Sequence, residues 1–365
     1  GGTSAVERGV WRAGHRPQIA ETGRAAGMSS PRWGWGTILR LVLGAMAFTA
    51  LFLFARPAEI GRILVAENLK WLGGSFLLLL LVMVIRAWRW RWLLADFGLP
   101  VPYRVLLELV LIGNYFNLFL PGSLGGDAYR AIGLARYSTQ TLRPVATVII
   151  ERFTGLIALF TIGPVAAWLA RDRLPVSPHL LVPGGVGLLA CTVVGLLVLL
   201  HVEPLFARLR PILPAMLVRR LSPEKLGVLF GVVRDLRRRP RAFVRASAIS
   251  ILLQLTVLTT YYAMSLALHG DIPPVVFYSV FPVIEFASLI PVTINGLGVR
   301  EGLMVWFLEQ AAVPASFTMG LAIMNRMLGL AMGALGGAIL IARRRSPARP
   351  DASGTPAENG TGAAN

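Results

Sequence analysis

The amino-acid sequence predicts an all-α, polytopic membrane protein with about six full spans plus two re-entrant broken-helix segments, arranged as an inverted repeat. Three observations predict it. Several apolar runs are too long for the core of a soluble domain of 365 residues, basic residues gather in the segments between them, and a Pro/Gly/Arg helix break occurs twice.

The chain is 55% hydrophobic and only 15% charged. The runs 181–200 and 246–268 carry no charge. At about 1.5 Å per residue each can cross a hydrocarbon core of roughly 30 Å. A net charge of +18 in a soluble protein would suggest nucleic acid, but here the basic residues lie between apolar runs. That distribution signals membrane orientation and contact with anionic lipid heads, so no nucleic-acid partner is expected. Cys191 is the single cysteine and sits inside an apolar run, which excludes an intramolecular disulfide and a thiolate metal site. The four histidines (15, 179, 201, 269) lack ligand spacing, and no Ser/His/Asp set, phosphate loop or dinucleotide fingerprint is present. No metal, no cofactor and no enzymatic activity are therefore expected. The sequon Asn359-Gly360-Thr361 reads as a chance match in a polar tail.

Residues 1–36 are polar, Gly/Arg-rich and aperiodic, and are expected to be disordered. The first methionine is Met28, so part of this stretch can be foreign to the natural chain or a misplaced start, and 1–36 is left out of the fold reading. The membrane domain spans 37–345, and the tail 346–365 has almost nothing apolar to bury. Within the domain, apolar segments fall near 38–55, 71–88, 105–120, 144–170, 181–200, 246–268, 275–294 and 303–342, the last holding more than one helix. The segment 203–245 has eleven Lys/Arg against three Asp/Glu and is expected to be cytoplasmic and interfacial. The segment 86–104 and Arg343-Arg344-Arg345 should share its side, which puts both termini in the cytoplasm. If every apolar segment crossed, 86–104 and 203–245 would lie on opposite sides. One segment between them must therefore dip in and return.

The segment 105–120 is the candidate, because Leu120-Pro121-Gly122-Ser123-Leu124-Gly125-Gly126-Asp127 breaks a helix at its far end. The run 275–301 repeats the pattern with Pro291-Val292-Thr293-Ile294-Asn295-Gly296-Leu297-Gly298, and the turn 269–274 ahead of it has no Lys or Arg. Gly126 and Arg130 follow Pro121 at the spacing at which Gly296 and Arg300 follow Pro291. Glu151-Arg152-Phe153-Thr154-Gly155-Leu156 then matches Asn325-Arg326-Met327-Leu328-Gly329-Leu330, sharing Arg-x-x-Gly-Leu, and Pro100 and Pro102 open the first dipping segment as Pro273 and Pro274 open the second. The first repeat spans about 71–170 and the second about 246–342, and charge placement gives them opposite orientation.

Ionisable groups at membrane depth cost about 2.5–3.5 kcal/mol each on insertion scales, so each needs a partner or a wet cavity. The candidate substrate-binding residues are Asp127, Arg130, Glu151, Arg152, Glu285, Arg300, Glu301 and Arg326. Glu151 and Arg152 point about 100° apart on a helix and are not expected to pair with each other. Arg152 is expected to meet Asp127 or Glu285 across the repeat interface, and Arg326 is the strongest candidate for an intramembrane functional cation. Helices restarting after Gly126 or Gly298 would aim free N–H groups at an anion, although Asp127 reads equally well as a helix N-cap. Arg86, Arg89 and Arg91, alternating with Trp88, Trp90 and Trp92, read as an interfacial anchor. Gly329, Gly333 and Gly337 read as a close-packing face, and 224–236 as an amphipathic helix on the inner leaflet.

Together, Leu120-Pro121-Gly122-x-x-Gly125-Gly126-Asp127-x-x-Arg130, Glu151-Arg152-x-x-Gly155-Leu156 and Asn295-Gly296-x-Gly298-x-Arg300-Glu301-Gly302 resemble the lysylphosphatidylglycerol synthase transmembrane-region family of flippase-like membrane proteins. The resemblance covers about 38–342 and implies a stand-alone member without the synthase domain. It implies a multi-pass cell-membrane protein that moves a phospholipid or other lipid-linked amphiphile, with anionic headgroups as partners. The alternative it implies is an accessory protein or enzyme of cell-envelope, hopanoid or lipid-linked glycan synthesis.

Overall fold

In the computed structural model, residues 69–118, 124–135, 142–172, 178–209, 223–289 and 298–345 are described, all within one compact unit, Leu39–Asn365. Among them there are eleven α-helices and no strand. They are α1 (Leu69–Asp96), α2 (Tyr103–Asn117), α3 (Leu124–Ala135), α4 (Leu142–Leu169), α5 (Pro178–Leu200), α6 (Val202–Leu209), α7 (Pro223–Arg238), α8 (Pro240–Ala267), α9 (Pro274–Leu289), α10 (Val299–Gln310) and α11 (Ala315–Arg345). Five of them, α1, α4, α5, α8 and α11, are long and apolar enough to cross a membrane. The expected sixth span, 38–55, lies outside the described residues, as do Pro121, Pro291, Asn295 and Gly296 of the breaks.

The helices repeat as long, short, short, long. In the first set α1 to α4 have 28, 15, 12 and 28 residues, and in the second α8 to α11 have 28, 16, 12 and 31. Helices of 12 to 16 residues reach only about 18–24 Å, so neither short helix of a pair spans a bilayer alone. Each pair is a hairpin. Gly126 of α3 packs so closely on Gly113 of α2 that an added Cβ would stand 2.5 Å from the Gly113 carbonyl oxygen, and Gly133 faces Leu109 in the same antiparallel sense.

The two sets run in opposite directions. Arg89 of α1 donates to Ser250 of α8 at 2.7 Å, and Asp96 at the end of α1 pairs with Arg245 near the start of α8. Long helices in antiparallel contact place the hairpin that follows α1 at one end of the bundle and the one that follows α8 at the other. This is the inverted arrangement expected from charge.

Apolar side chains on the outward faces of these helices, among them Leu77, Trp168, Val194 and Leu252, are exposed, as lipid-facing residues are. Inside, Trp90, Phe277, Phe281 and Leu258 are fully buried. The amphipathic helix α7 turns part of its apolar face onto the bundle. Val233 and Leu236 are buried, and Leu236 packs with Leu93, Phe97, Ile150 and Ala246. The small-residue face also shifts. Gly333, Gly336 and Gly337 of α11 lie against Leu118, Leu111 and Tyr115, whereas Gly329 meets nothing within 4 Å.

Candidate functional site

A cavity of about 310 Å³ lies between the repeats, lined from all eight of their helices. Its lining sits near the middle of the long helices: Val82 to Arg89 of α1, Glu151 to Leu159 of α4, Leu253 to Tyr261 of α8, and Asn325 to Gly329 of α11. Seven of the eight predicted ionisable residues, Asp127, Arg130, Glu151, Arg152, Glu285, Arg300 and Arg326, line it directly, and the eighth, Glu301, holds Arg326 from behind.

In the first repeat Glu151 is 4% exposed and takes two guanidiniums, Arg89 at 3.1 Å and Arg130 in a shorter contact. Asp127 in the first turn of α3 accepts from Arg152 Nε at 2.8 Å and lies 3.5 Å from Arg130 Nη1. Glu151 and Arg152 thus turn to different partners, as their helical spacing requires. Arg152 meets Asp127, which belongs to its own repeat. In the second repeat Arg326 donates to Glu301 at 2.7 Å, and Arg300 pairs with Glu285, which also accepts from Tyr261 Oη at 2.6 Å.

The two halves match position by position. Leu69 and Pro240 begin α1 and α8, Asp96 and Ala267 end them, and each pair is about 171 positions apart. That offset also places Asn114 with Glu285, Asn117 with Ser288 and Leu118 with Leu289, and all six line the cavity. In α4 and α11, Glu151 with Asn325, Arg152 with Arg326 and Gly155 with Gly329 correspond, again all lining it. At these two pairs of matched positions each repeat therefore places one carboxylate and one amide, on exchanged helices: Asn114 and Glu151 in the first, Glu285 and Asn325 in the second.

The break itself is not a copy at equal spacing. Six residues separate α2 from α3 and nine separate α9 from α10, so equal motif spacing does not mean equal place in the fold. Asp127 of α3 has its counterpart in Glu301 of α10, each holding the arginine 25 positions downstream. Arg130 and Arg300, the arginines at matching distance from the prolines, lie about one helical turn apart in this register and so still face the same way.

The restarting helices do not offer bare N-termini. The Gly298 N–H donates to Glu301 at 2.7 Å, and the Gly126 N–H donates to Asn117 Oδ1 at 2.7 Å. Gly298 has φ 82°, a left-handed conformation that glycine adopts without steric cost. Gly125 and Gly126 are both buried, Gly126 in the hairpin contact.

The expected interfacial anchor is divided by the helical period. Arg86 and Arg89 line the cavity, and Trp90 is fully buried beneath the Arg130 guanidinium at 4.1 Å, donating to Thr147 at 3.2 Å. Only Trp88, Arg91 and Trp92 face outward. A projection at 100° per residue separates these two sets, and that signal is present in the sequence. Each carboxylate around the cavity already holds an arginine, so the site suits an anion and not a metal cation.

A family described as the lysylphosphatidylglycerol synthase TM region matches residues 37–337. The chain belongs to that family. As a member of the lysylphosphatidylglycerol synthase TM-region family it is a membrane protein of lipid-related processes, and the matched region contains the first repeat, the second as far as residue 337, and every residue lining the cavity. No curated protein and no solved structure matches the chain significantly.

Proposed function

We propose that this chain is a lipid translocase of the cell membrane, passing the headgroup of a phospholipid or other lipid-linked amphiphile through the space between its two repeats. The observation that carries the reading is a charged cavity at mid-length of the long helices, shared by two halves of opposite orientation. An arrangement of this kind lets one site open alternately toward either side by rocking one repeat against the other. Arg152 and Arg326 bind the headgroup, and Asp127, Glu151 and Glu285 serve as counter-charges or proton carriers. The chain performs no covalent chemistry in this reading, and its termini are cytoplasmic.

The test is reconstitution into liposomes holding fluorescent anionic and zwitterionic lipids, with the wild type beside Arg326→Ala and Asp127→Ala. The wild type should move lipid faster than empty liposomes, and both variants should be slower. Equal rates in all four preparations would sink the translocase reading.

A further inference from the structure

The charge around the cavity is unevenly divided. On the first-repeat side Arg86, Arg89, Arg130 and Arg152 face Asp127 and Glu151, an excess of two positive charges. On the second-repeat side Arg300 and Arg326 are matched one to one by Glu285 and Glu301. The excess has a clear origin in the duplicated helices. At the offset that aligns α1 with α8, Arg86 and Arg89 correspond to Val257 and Thr260, which line the opposite wall without charge.

A further observation marks the arginine-rich wall as a ligand site. Among the described residues Arg86 has no carboxylate within salt-bridge distance and yet lines the cavity. Arg89 and Arg130, each 6% exposed, keep a buried Nε–H with no acceptor, as Arg300 and Arg326 do on the opposite wall, so what sets this wall apart is Arg86 and the charge excess. Unmatched cations and donors in a low-dielectric interior are costly unless a ligand neutralises them. The remaining wall is apolar, with Val82, Leu156, Leu253 and Val257.

We infer that the ligand presents a terminal phosphate carrying two negative charges, as a phosphomonoester or diphosphate does, and that Arg86, Arg89 and Arg130 select it over a singly charged phosphodiester. A phosphomonoester carries about −1.5 to −2 at pH 7, which balances this wall where a diester leaves one charge uncompensated. This inference rests on the translocase reading for its lipid and names the headgroup class that the reading left open.

Calorimetric titration of the full chain in detergent tests it, with dioctanoyl phosphatidic acid, dioctanoyl phosphatidylglycerol and inorganic phosphate as probes. Phosphatidic acid should bind more tightly than phosphatidylglycerol by about tenfold, the scale of one charge-assisted hydrogen bond. Arg86→Gln should bring phosphatidic acid down to the level of phosphatidylglycerol, Arg86→Lys should keep the preference, and Arg91→Gln on the outward face should change nothing. Arg86 breaks no ion pair when replaced, and elution as a single species on gel filtration checks the fold. Equal affinities for the two lipids, or an unchanged preference in Arg86→Gln, overturn the inference. Inorganic phosphate binding as tightly as phosphatidic acid overturns a lipid as the source. Because binding is read without transport, a chain that prefers phosphatidic acid but moves no lipid refutes only the translocase. One that moves lipid without the preference refutes only this inference.

Discussion

Asp127 and Arg152, 25 positions apart, form in the first repeat the same link that Glu301 and Arg326, also 25 apart, form in the second. Each ties the first turn of the helix that returns from a break to the middle of the adjacent long helix. The two links differ in burial: the arginine side chain is 34% exposed in the first and 9% in the second. Removing one partner of a buried pair strands the other charge, at a cost of about 3–5 kcal/mol. Arg326→Ala should therefore lose stability on that scale, and Arg152→Ala clearly less. Denaturation followed in mild detergent checks the order, and equal losses would mean that burial does not set the strength of the links.

Glu151 serves two guanidiniums, whereas Glu301 serves one. Glu151→Gln leaves Arg89 and Arg86 with no carboxylate partner and Arg130 with only the Asp127 contact at 3.5 Å. It should be the most damaging neutralisation among the cavity carboxylates, exceeding Glu301→Gln by about 1–2 kcal/mol. Melting temperatures of the two variants in the same detergent decide it. An Arg89→Met substitution added to Glu151→Gln should recover part of the loss, because it removes one of the stranded charges.

What the sequence makes legible is whatever depends on local composition. The apolar run 181–200 became a helix long enough to cross a membrane because its length and lack of charge leave no other stable arrangement. The pairing of charges was legible only in part. That Glu151 and Arg152 diverge follows from 100° per residue, but that Glu151 meets Arg89 across 62 positions is settled by the approach of α1 to α4, which no local pattern encodes. Arg86 and Arg89 were read as an anchor because alternation with tryptophan resembles an interfacial belt. The helical period that turns them inward was present but outweighed by composition. The exchange of Asn114 and Glu151 for Glu285 and Asn325 emerges only once the halves are aligned in space, since the two breaks differ in length and shift the register between them.

Close backbone approach makes a separate demand. A Cβ on Gly336 would stand 2.1 Å from the Leu111 carbonyl oxygen, and backbone cannot swing aside as a side chain can. Gly336→Ala should push α11 off α2 and cost about 1–3 kcal/mol, as overpacking does. Gly329→Ala on the same helix meets nothing within 4 Å and should keep or slightly raise stability, because alanine favours the helix. The matched pair, melted side by side, separates contact from helix propensity: similar melting temperatures would refute the close approach.

The opposed orientation of the repeats can be read directly from labelling. Pro100 follows α1 and Asp271 follows α8, and both are exposed. Antiparallel contact between those helices, marked by Arg89 with Ser250 and Asp96 with Arg245, puts the two turns at opposite ends of the bundle. Single cysteines at these positions, in a Cys191→Ser background that removes the one native thiol, should therefore react with a membrane-impermeant maleimide from opposite sides of sealed vesicles. If the basic residues between 203 and 245 face the cytoplasm, as the positive-inside rule expects, the Pro100 turn should label only in inverted vesicles and Asp271→Cys only in right-side-out ones. Labelling of both from one side would require the two hairpins to enter from the same face, which the antiparallel packing of α1 on α8 forbids.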